Sequence, residues 1–242
     1  MAEAKHILDN VVWNALSTRQ AQYAEGDELA KRFLPEIGPL AGLREQSADA
    51  YRSLGQLLKP GEPAVLFLDT EPKLPEDWQM ILHKPLVQMI CPKPPVFPNN
   101  RDVAFEPLNV ADVPAMLELT ALTEPGPFRQ RTYELGGFLG IRQQGRLAAM
   151  AGQRLASPGY TEISAVCTHP DFRGRGYAHL LVAEVARRIQ ASGETPFLTS
   201  YEHNTGAIRV YQAVGFELRR TLHVVVAATG LSPDFAQSVS PW

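Results

Sequence analysis

The 242-residue sequence predicts an α/β fold of the layered α+β kind, with a mixed and mostly antiparallel central sheet flanked by helices. Three observations carry that expectation. Short apolar runs bounded by Pro and Gly recur along the chain, as strands do. Between them lie stripes at helical spacing that end at glycines or prolines. Hydrophobic residues make up 45% against 20% charged, enough for an ordinary buried core.

From the N-terminus, residues 10–34 read as two helical segments parted by Glu25-Gly26-Asp27. Val12, Leu16 and Tyr23, then Leu29 and Phe33, fall near helical spacing. Residues 48–58 predict a further helix that stops at Lys59-Pro60-Gly61. Residues 64–68 are all apolar and read as a buried strand, and residues 86–91 as a second. Four prolines in the next ten residues exclude a helix or central strand, because each removes a backbone donor. A domain boundary is expected near residue 100, giving an N-terminal α/β region (1–100), a second domain (101–230) and a tail (231–242).

In the second half, residues 103–108 suggest a strand, and Asp112 is placed to cap a helix carrying Met116, Leu117 and Leu119. A turn at Glu124-Pro125-Gly126-Pro127 follows. Residues 137–142 and 147–152 flank Gln143-Gln144-Gly145-Arg146 and read as a hairpin. Residues 161–168 form a strand that leads into a Gly-Arg turn. Tyr177, Leu181, Val185 and Ile189 then recur at i+4, an amphipathic helix with Gly193 at its end. A strand at 196–201, a helix at 203–215 and a strand at 221–228 complete the pattern.

Composition limits function. A net charge of -3 gives no general nucleic-acid footprint, so any anion site must be local. Only Cys91 and Cys167 occur, far apart, as expected of a reducing compartment without a disulfide framework. No leader or membrane anchor is recognisable near the N-terminus, and the expectation is a cytoplasmic protein with no membrane partner.

The specific segment is His169-Pro170-Asp171-Phe172-Arg173-Gly174-Arg175-Gly176-Tyr177-Ala178-His179. A strand, a glycine-rich turn and a helix N-terminus can hold an anion on unpaired N–H groups, with the arginines adding charge. By itself the turn also admits a plain reading, a solvated basic loop ahead of a helix. Two nucleotide motifs are excluded: no Gly-Lys-Ser/Thr stands at the helix entry, and His179 occupies the place of the third glycine of a dinucleotide fingerprint.

Arg173-Gly174-Arg175-Gly176-Tyr177-Ala178 resembles the Arg/Gln-x-x-Gly-x-Gly/Ala signature of the GNAT superfamily of N-acetyltransferases. Asn204-Thr205-Gly206-Ala207-Ile208-Arg209-Val210-Tyr211, followed by Gly215-Phe216, resembles the family's second segment. The resemblance covers about residues 101 to 228. The first hundred residues are compatible with a degenerate copy of the same fold, as in the glycine N-acyltransferase-like branch.

The resemblance implies an acetyl-CoA-dependent N-acetyltransferase whose acceptor, a small-molecule or peptide amine, attacks the thioester directly. It implies that the pyrophosphate rests on backbone N–H groups of Gly174, Arg175, Gly176, Tyr177, Ala178 and His179, with Arg173 and Arg175 as supporting charge. Val166, Cys167 and Thr168 would lie along the pantetheine arm, Asn204 would touch the cofactor or cap its helix, and Tyr211 would protonate the departing thiolate. For the general base Glu162 is the expected residue, with Glu202, the Thr168 hydroxyl or water as substitutes. Glu124 and Phe128 fall where the family builds its acceptor pocket. The alternative is an acyl-CoA-binding sensor or interaction module without chemistry. A homodimer is compatible with either. The six histidines show no ligand spacing, and no metal is expected.

Overall fold

The first expected helix forms only over Val11–Leu16, Tyr23 lying in a separate 3-10 turn at Ala21–Tyr23, and the second does not form. In this computed structural model, which describes residues 5–99 and 103–230, a 3-10 turn at Ile7–Asn10 leads into helix α1, Val11–Leu16. Where Leu29 and Phe33 suggest a helix, the chain makes a hairpin: β1 (Ala24–Gly26) runs antiparallel to β2 (Ala30–Phe33), with Glu25 opposite Arg32. The cause is Asp27. Its carboxylate accepts from the N–H groups of Ala30 (3.0 Å) and Leu29 (2.8 Å) and from the Ser53 hydroxyl (2.7 Å), bonds that compete with a helix ladder. These bonds, led by that from Ala30, hold its carboxyl below the usual range. Arg32, buried, joins Glu25 at 2.6 Å and Glu62 at 2.9 Å, which ties the hairpin down.

Strand β3 (Leu40–Leu43), four buried residues, had no counterpart in the sequence reading. Helix α2 (Ala48–Leu57) starts where the Ser47 hydroxyl accepts from the Ala50 N–H. β4 (Ala64–Leu68) is buried throughout. β5 (Trp78–Ile90) contains the expected residues 86–90 but begins eight residues earlier, because exposed Gln79 and His83 break its apolar pattern. The boundary expected near residue 100 and the tail 231–242 lie outside the described residues.

Next come β6 (Glu106–Leu108), α3 (Val113–Thr123), β7 (Phe138–Gln143), β8 (Arg146–Ser157) and β9 (Tyr160–Thr168). Then follow α4 (Tyr177–Ala191), β10 (Thr195–Tyr201), α5 (Thr205–Val214) and β11 (Glu217–Thr229). Asp112 does not cap α3 through its side chain as expected. It accepts instead from the Asn109 N–H and from Arg142, closing a 3-10 turn that precedes the helix.

The chain divides into two compact units, Met1–Leu86 with Thr221–Trp242, and Val87–Arg220. The last strand from Thr221 onward belongs with the N-terminal unit. In the first unit the strand order is β1-β2-β3-β4-β11-β5, antiparallel where β1 meets β2, β2 meets β3 and β4 meets β11, and parallel where β3 meets β4. Its core gathers Ala30, Leu43, Tyr51, Leu54, Leu66, Trp78, Val225 and Ala227. In the second unit the order is β5-β10-β9-β8-β7-β6, antiparallel from β9 to β6 and parallel between β9 and β10. Helix α4 packs on one face of that sheet through Leu180, Leu181, Val185 and Ile189. Helix α3 packs on another through Met116 and Leu119.

Tyr51 marks a cost inside the first core. Its ring meets Trp78 edge-on at 5.4 Å, its side chain is fully buried, and its hydroxyl has no hydrogen-bond partner among the described residues. Burial pushes that phenol up to about 12. Tyr51→Phe is therefore expected to raise stability by about 1 kcal/mol, since an unmade buried hydrogen bond is a desolvation cost without return. Urea unfolding should show a higher midpoint at unchanged slope; a lower midpoint contradicts the unsatisfied hydroxyl.

Candidate active site

The site starts from a defect in strand pairing. Parallel strands β9 and β10 pair only from Tyr160↔Thr195 to Ile163↔Leu198, although β9 runs on to Thr168 and β10 to Tyr201. On the other edge of β9 the register with β8 shifts, from Ser164↔Gly152 to Cys167↔Met150. Ala165 and Val166 thus face the single residue Ala151, and Ala165 takes φ 51°, a left-handed conformation unusual for a side chain with a Cβ. Such a bulge bends its strand and interrupts regular pairing, which resumes with β8 at Cys167↔Met150. Among the described residues the edge of Val166, Cys167 and Thr168 that faces β10 has no strand partner, a place where an extended chain of amides can add.

At the end of β9 the chain turns into α4. His169 caps a short 3-10 turn, Pro170–Phe172, by accepting from the Asp171 N–H. Gly174 and Gly176 then adopt φ 77° and 76°, where side chains other than glycine's are strained. None of the N–H groups of residues 174–179 finds a backbone acceptor among the described residues, and Gly176 has no side chain to cap α4. Six donors and a helix N-terminus therefore stay open to an anion. Residues 173–176 are exposed, while Phe172 beneath them is buried.

Cationic side chains brace this turn. The guanidinium of Arg175 lies 5.2 Å from the Phe172 ring centre and that of Arg146 5.7 Å. Arg146 also reaches Asp171 at 3.2 Å and the His169 ring at 2.6 Å. Arg146 was not singled out from sequence: it opens β8, more than twenty residues before the turn, and no spacing rule connects the two. The His179 ring is occupied elsewhere, against the Val96 carbonyl at 3.0 Å, so only its N–H faces the turn's task.

Tyr211 projects from α5 into the core beside Phe216 and is 8% exposed. Burial, with a smaller push from the neighbouring Cys167, raises its hydroxyl to about 12. Burial likewise lifts the Cys167 thiol to about 12, against hydrogen bonds from Thr123 and the Met150 backbone. A thiol so protonated is a poor nucleophile, which leaves Tyr211 as a loaded proton donor near the strand. Asn204 does cap α5, its Oδ1 accepting from the Ala207 N–H at 3.2 Å.

Glu162 has a different employment from the one expected. It is completely buried, and its two oxygens accept from Arg154 at 2.8 and 2.9 Å and from the Thr199 hydroxyl at 2.9 Å. A carboxylate shut from solvent and paired on both oxygens is poorly placed to collect a substrate proton. Instead it ties β8, β9 and β10 together where β9 and β10 begin to diverge. Arg154 and Thr199 have no signal in sequence, because neither stands at a motif position. Glu202 is exposed at the end of β10, and Thr168 is half-buried. Glu124 ends α3 in the left-handed region at φ 46°, and Phe128 packs edge-on to Phe138 at 5.6 Å.

Residues 138–225 match the model of a family described as FR47-like protein. A solved structure assigned to the GNAT family of acetyltransferases, from Novosphingobium aromaticivorans, shares 36% identity over 94% of this chain and 100% of its own, with a TM-score of 0.86. A GCN5-related N-acetyltransferase from Kribbella flavida shares the fold at 17% identity, over 95% of this chain and 98% of its own, with a TM-score of 0.65. No curated protein matches the sequence.

The Arg154–Glu162 pair yields a stability test. Glu162→Gln removes the carboxylate charge that faces the largely enclosed Arg154 guanidinium, and is expected to cost about 3 kcal/mol. The double variant Arg154→Met with Glu162→Gln should cost less than the sum of the two singles. Strict additivity in urea unfolding contradicts the pairing.

Proposed function

The chain belongs to the GNAT family of acetyltransferases and is an acyltransferase, and from that premise we propose that it moves an acetyl group from acetyl-CoA to a primary amine in a ternary complex. The observation that carries this is the run of six unsatisfied N–H groups at residues 174–179 beside a strand edge left open by the bulge.

In this reading the N–H groups of Gly174, Arg175, Gly176, Tyr177, Ala178 and His179 hold the pyrophosphate, and Arg173 and Arg175 add charge in the exposed turn. Val166, Cys167 and Thr168 pair with the pantetheine amides, and one of their N–H groups holds the developing oxyanion. Asn204 keeps the start of α5 fixed. The amine nitrogen forms a bond to the thioester carbon as the carbon–sulfur bond breaks, and Tyr211 donates to the departing sulfur.

Burial sets how Tyr211 acts. Complete transfer from a phenol at about 12 to a thiolate whose acid form lies near ~8.5 is uphill by about 5 kcal/mol. Tyr211 therefore stabilises the sulfur through a hydrogen bond as the charge develops, rather than by finished proton transfer beforehand. The proton lost by the amine goes to water, with Glu202 and the Thr168 hydroxyl as the accessible side chains. Glu162 positions the diverging strands. The acceptor is a small-molecule or peptide amine, and the net charge of -3 disfavours a nucleic-acid partner. A cytoplasmic location belongs to the same reading, as does a homodimer; among the described residues no helix is long and apolar enough to cross a membrane.

The test follows CoA thiol release with an amine panel, comparing acetyl-CoA with longer acyl-CoAs. Acetyl-CoA should be consumed with at least one amine, and Tyr211→Phe should lower kcat by about 10²-fold or more with KM for acetyl-CoA little changed. An unchanged kcat overturns the acid assignment. Saturable acetyl-CoA binding without release to any amine favours the sensor reading.

A further inference from the structure

Outside the proposed transferase site, the first unit brings together three side chains of the kinds that bind borderline divalent metals. Ligand atoms of Glu71, His83 and His223 all lie within 4.8 Å of one another. His83 stands on β5 and His223 on β11, neighbours in the sheet order. Leu68, the last residue of β4, is opposite His223, and Glu71 follows three residues later, so the chain leaving β4 passes this point. Histidines 140 positions apart give no spacing signal, which is why the sequence suggested no metal.

The geometry suits more than a chance contact. His83 Nε2 and His223 Nδ1 face each other at 2.9 Å, with ring centres 5.1 Å apart and planes tilted by 42°. Two imidazole nitrogens each about 2.0–2.1 Å from one tetrahedral zinc ion sit about 3.3 Å apart, so the rings, 2.9 Å apart here, need to part by only about 0.4 Å. In the empty state one ring donates its proton to the other; a tautomer shift in the donor frees both lone pairs for an ion between them. Glu71 and His83 are exposed and His223 is half-buried, so the cluster is reachable from solvent. Two imidazoles and one carboxylate are ligands that suit Zn²⁺, Ni²⁺ or Cu²⁺ and not Mg²⁺ or Ca²⁺, which take oxygen ligands.

We propose that Glu71, His83 and His223 form a zinc-class divalent metal site, with three protein ligands and water completing the coordination, that clips the segment after β4 onto β5 and β11.

Titration calorimetry of the chelator-stripped full chain with Zn²⁺ tests it. One equivalent should bind, and His83→Gln and His223→Gln should each weaken binding by at least about tenfold, since even groups that merely hydrogen-bond to a ligand are worth that much. Glu71→Gln should weaken it as well, while Glu76→Gln, an exposed acid five residues on in the same segment, should not. Circular dichroism of each variant checks that the fold is kept, and zinc should raise the thermal midpoint of the wild type but not of the histidine variants. No saturable binding by the wild type, or binding that survives loss of both histidines, overturns the proposal.

Discussion

Two residues of β9 opposite one of β8 form the constraint on which the rest of the site depends. With Ala165 and Val166 both facing Ala151, the register of β9 with β8 is interrupted, and its parallel contact with β10 stops at Ile163 and Leu198. The outcome, among the described residues, is a strand edge inside the sheet with no strand partner, directly followed by a turn whose N–H groups have no backbone acceptor. Unpaired backbone groups are tolerated at such density only where water or a ligand can reach them. Exposed residues at 173–176 satisfy that condition. The bulge and the turn are thus two parts of one arrangement, donors displayed along a path.

What opens the strands must also be kept from opening further. Arg154, Glu162 and Thr199 draw β8, β9 and β10 together just before the divergence, with the carboxylate wholly enclosed. On the far side of the path, buried Phe172 carries Arg175 and Arg146 against its ring, which keeps the turn's cations beside its donors. Burial of Tyr211 and Cys167 then divides their roles. Both are driven strongly toward the protonated form, so Tyr211 is available as a donor and Cys167 is not available as an attacking thiolate.

The second half of the fold was readable because its elements are long and its punctuation is local. The i+4 stripe of α4, the hairpin around Gly145 and the capping Asn204 each express one element's own physics. The first hundred residues were harder. Leu29 and Phe33 satisfy helical spacing, yet Asp27 bonds the backbone beside it and fixes a hairpin, a choice made by one side chain rather than by periodicity. β3 is too short to show a period, and the exposed polar residues of β5 conceal its first half. The same limit governs the site. Donors from residues 174–179 and the phenol of Tyr211 stand in contiguous motifs, which is why sequence alone names them as candidates. Arg146, Arg154 and Thr199 act through partners remote in sequence, and Glu162 gave no sign that its carboxylate would be claimed by Arg154.

The account's central claim is that the unpaired backbone groups of the turn and the open strand edge receive an acyl-CoA. Amide-resolved hydrogen exchange with and without acetyl-CoA tests it most directly. Saturating acetyl-CoA should slow exchange at residues 174–179 and at residues 166–168 together, while the paired part of β9, residues 160–163, changes little. Binding of acetyl-CoA that leaves the amides of residues 174–179 exchanging as freely as before would contradict it.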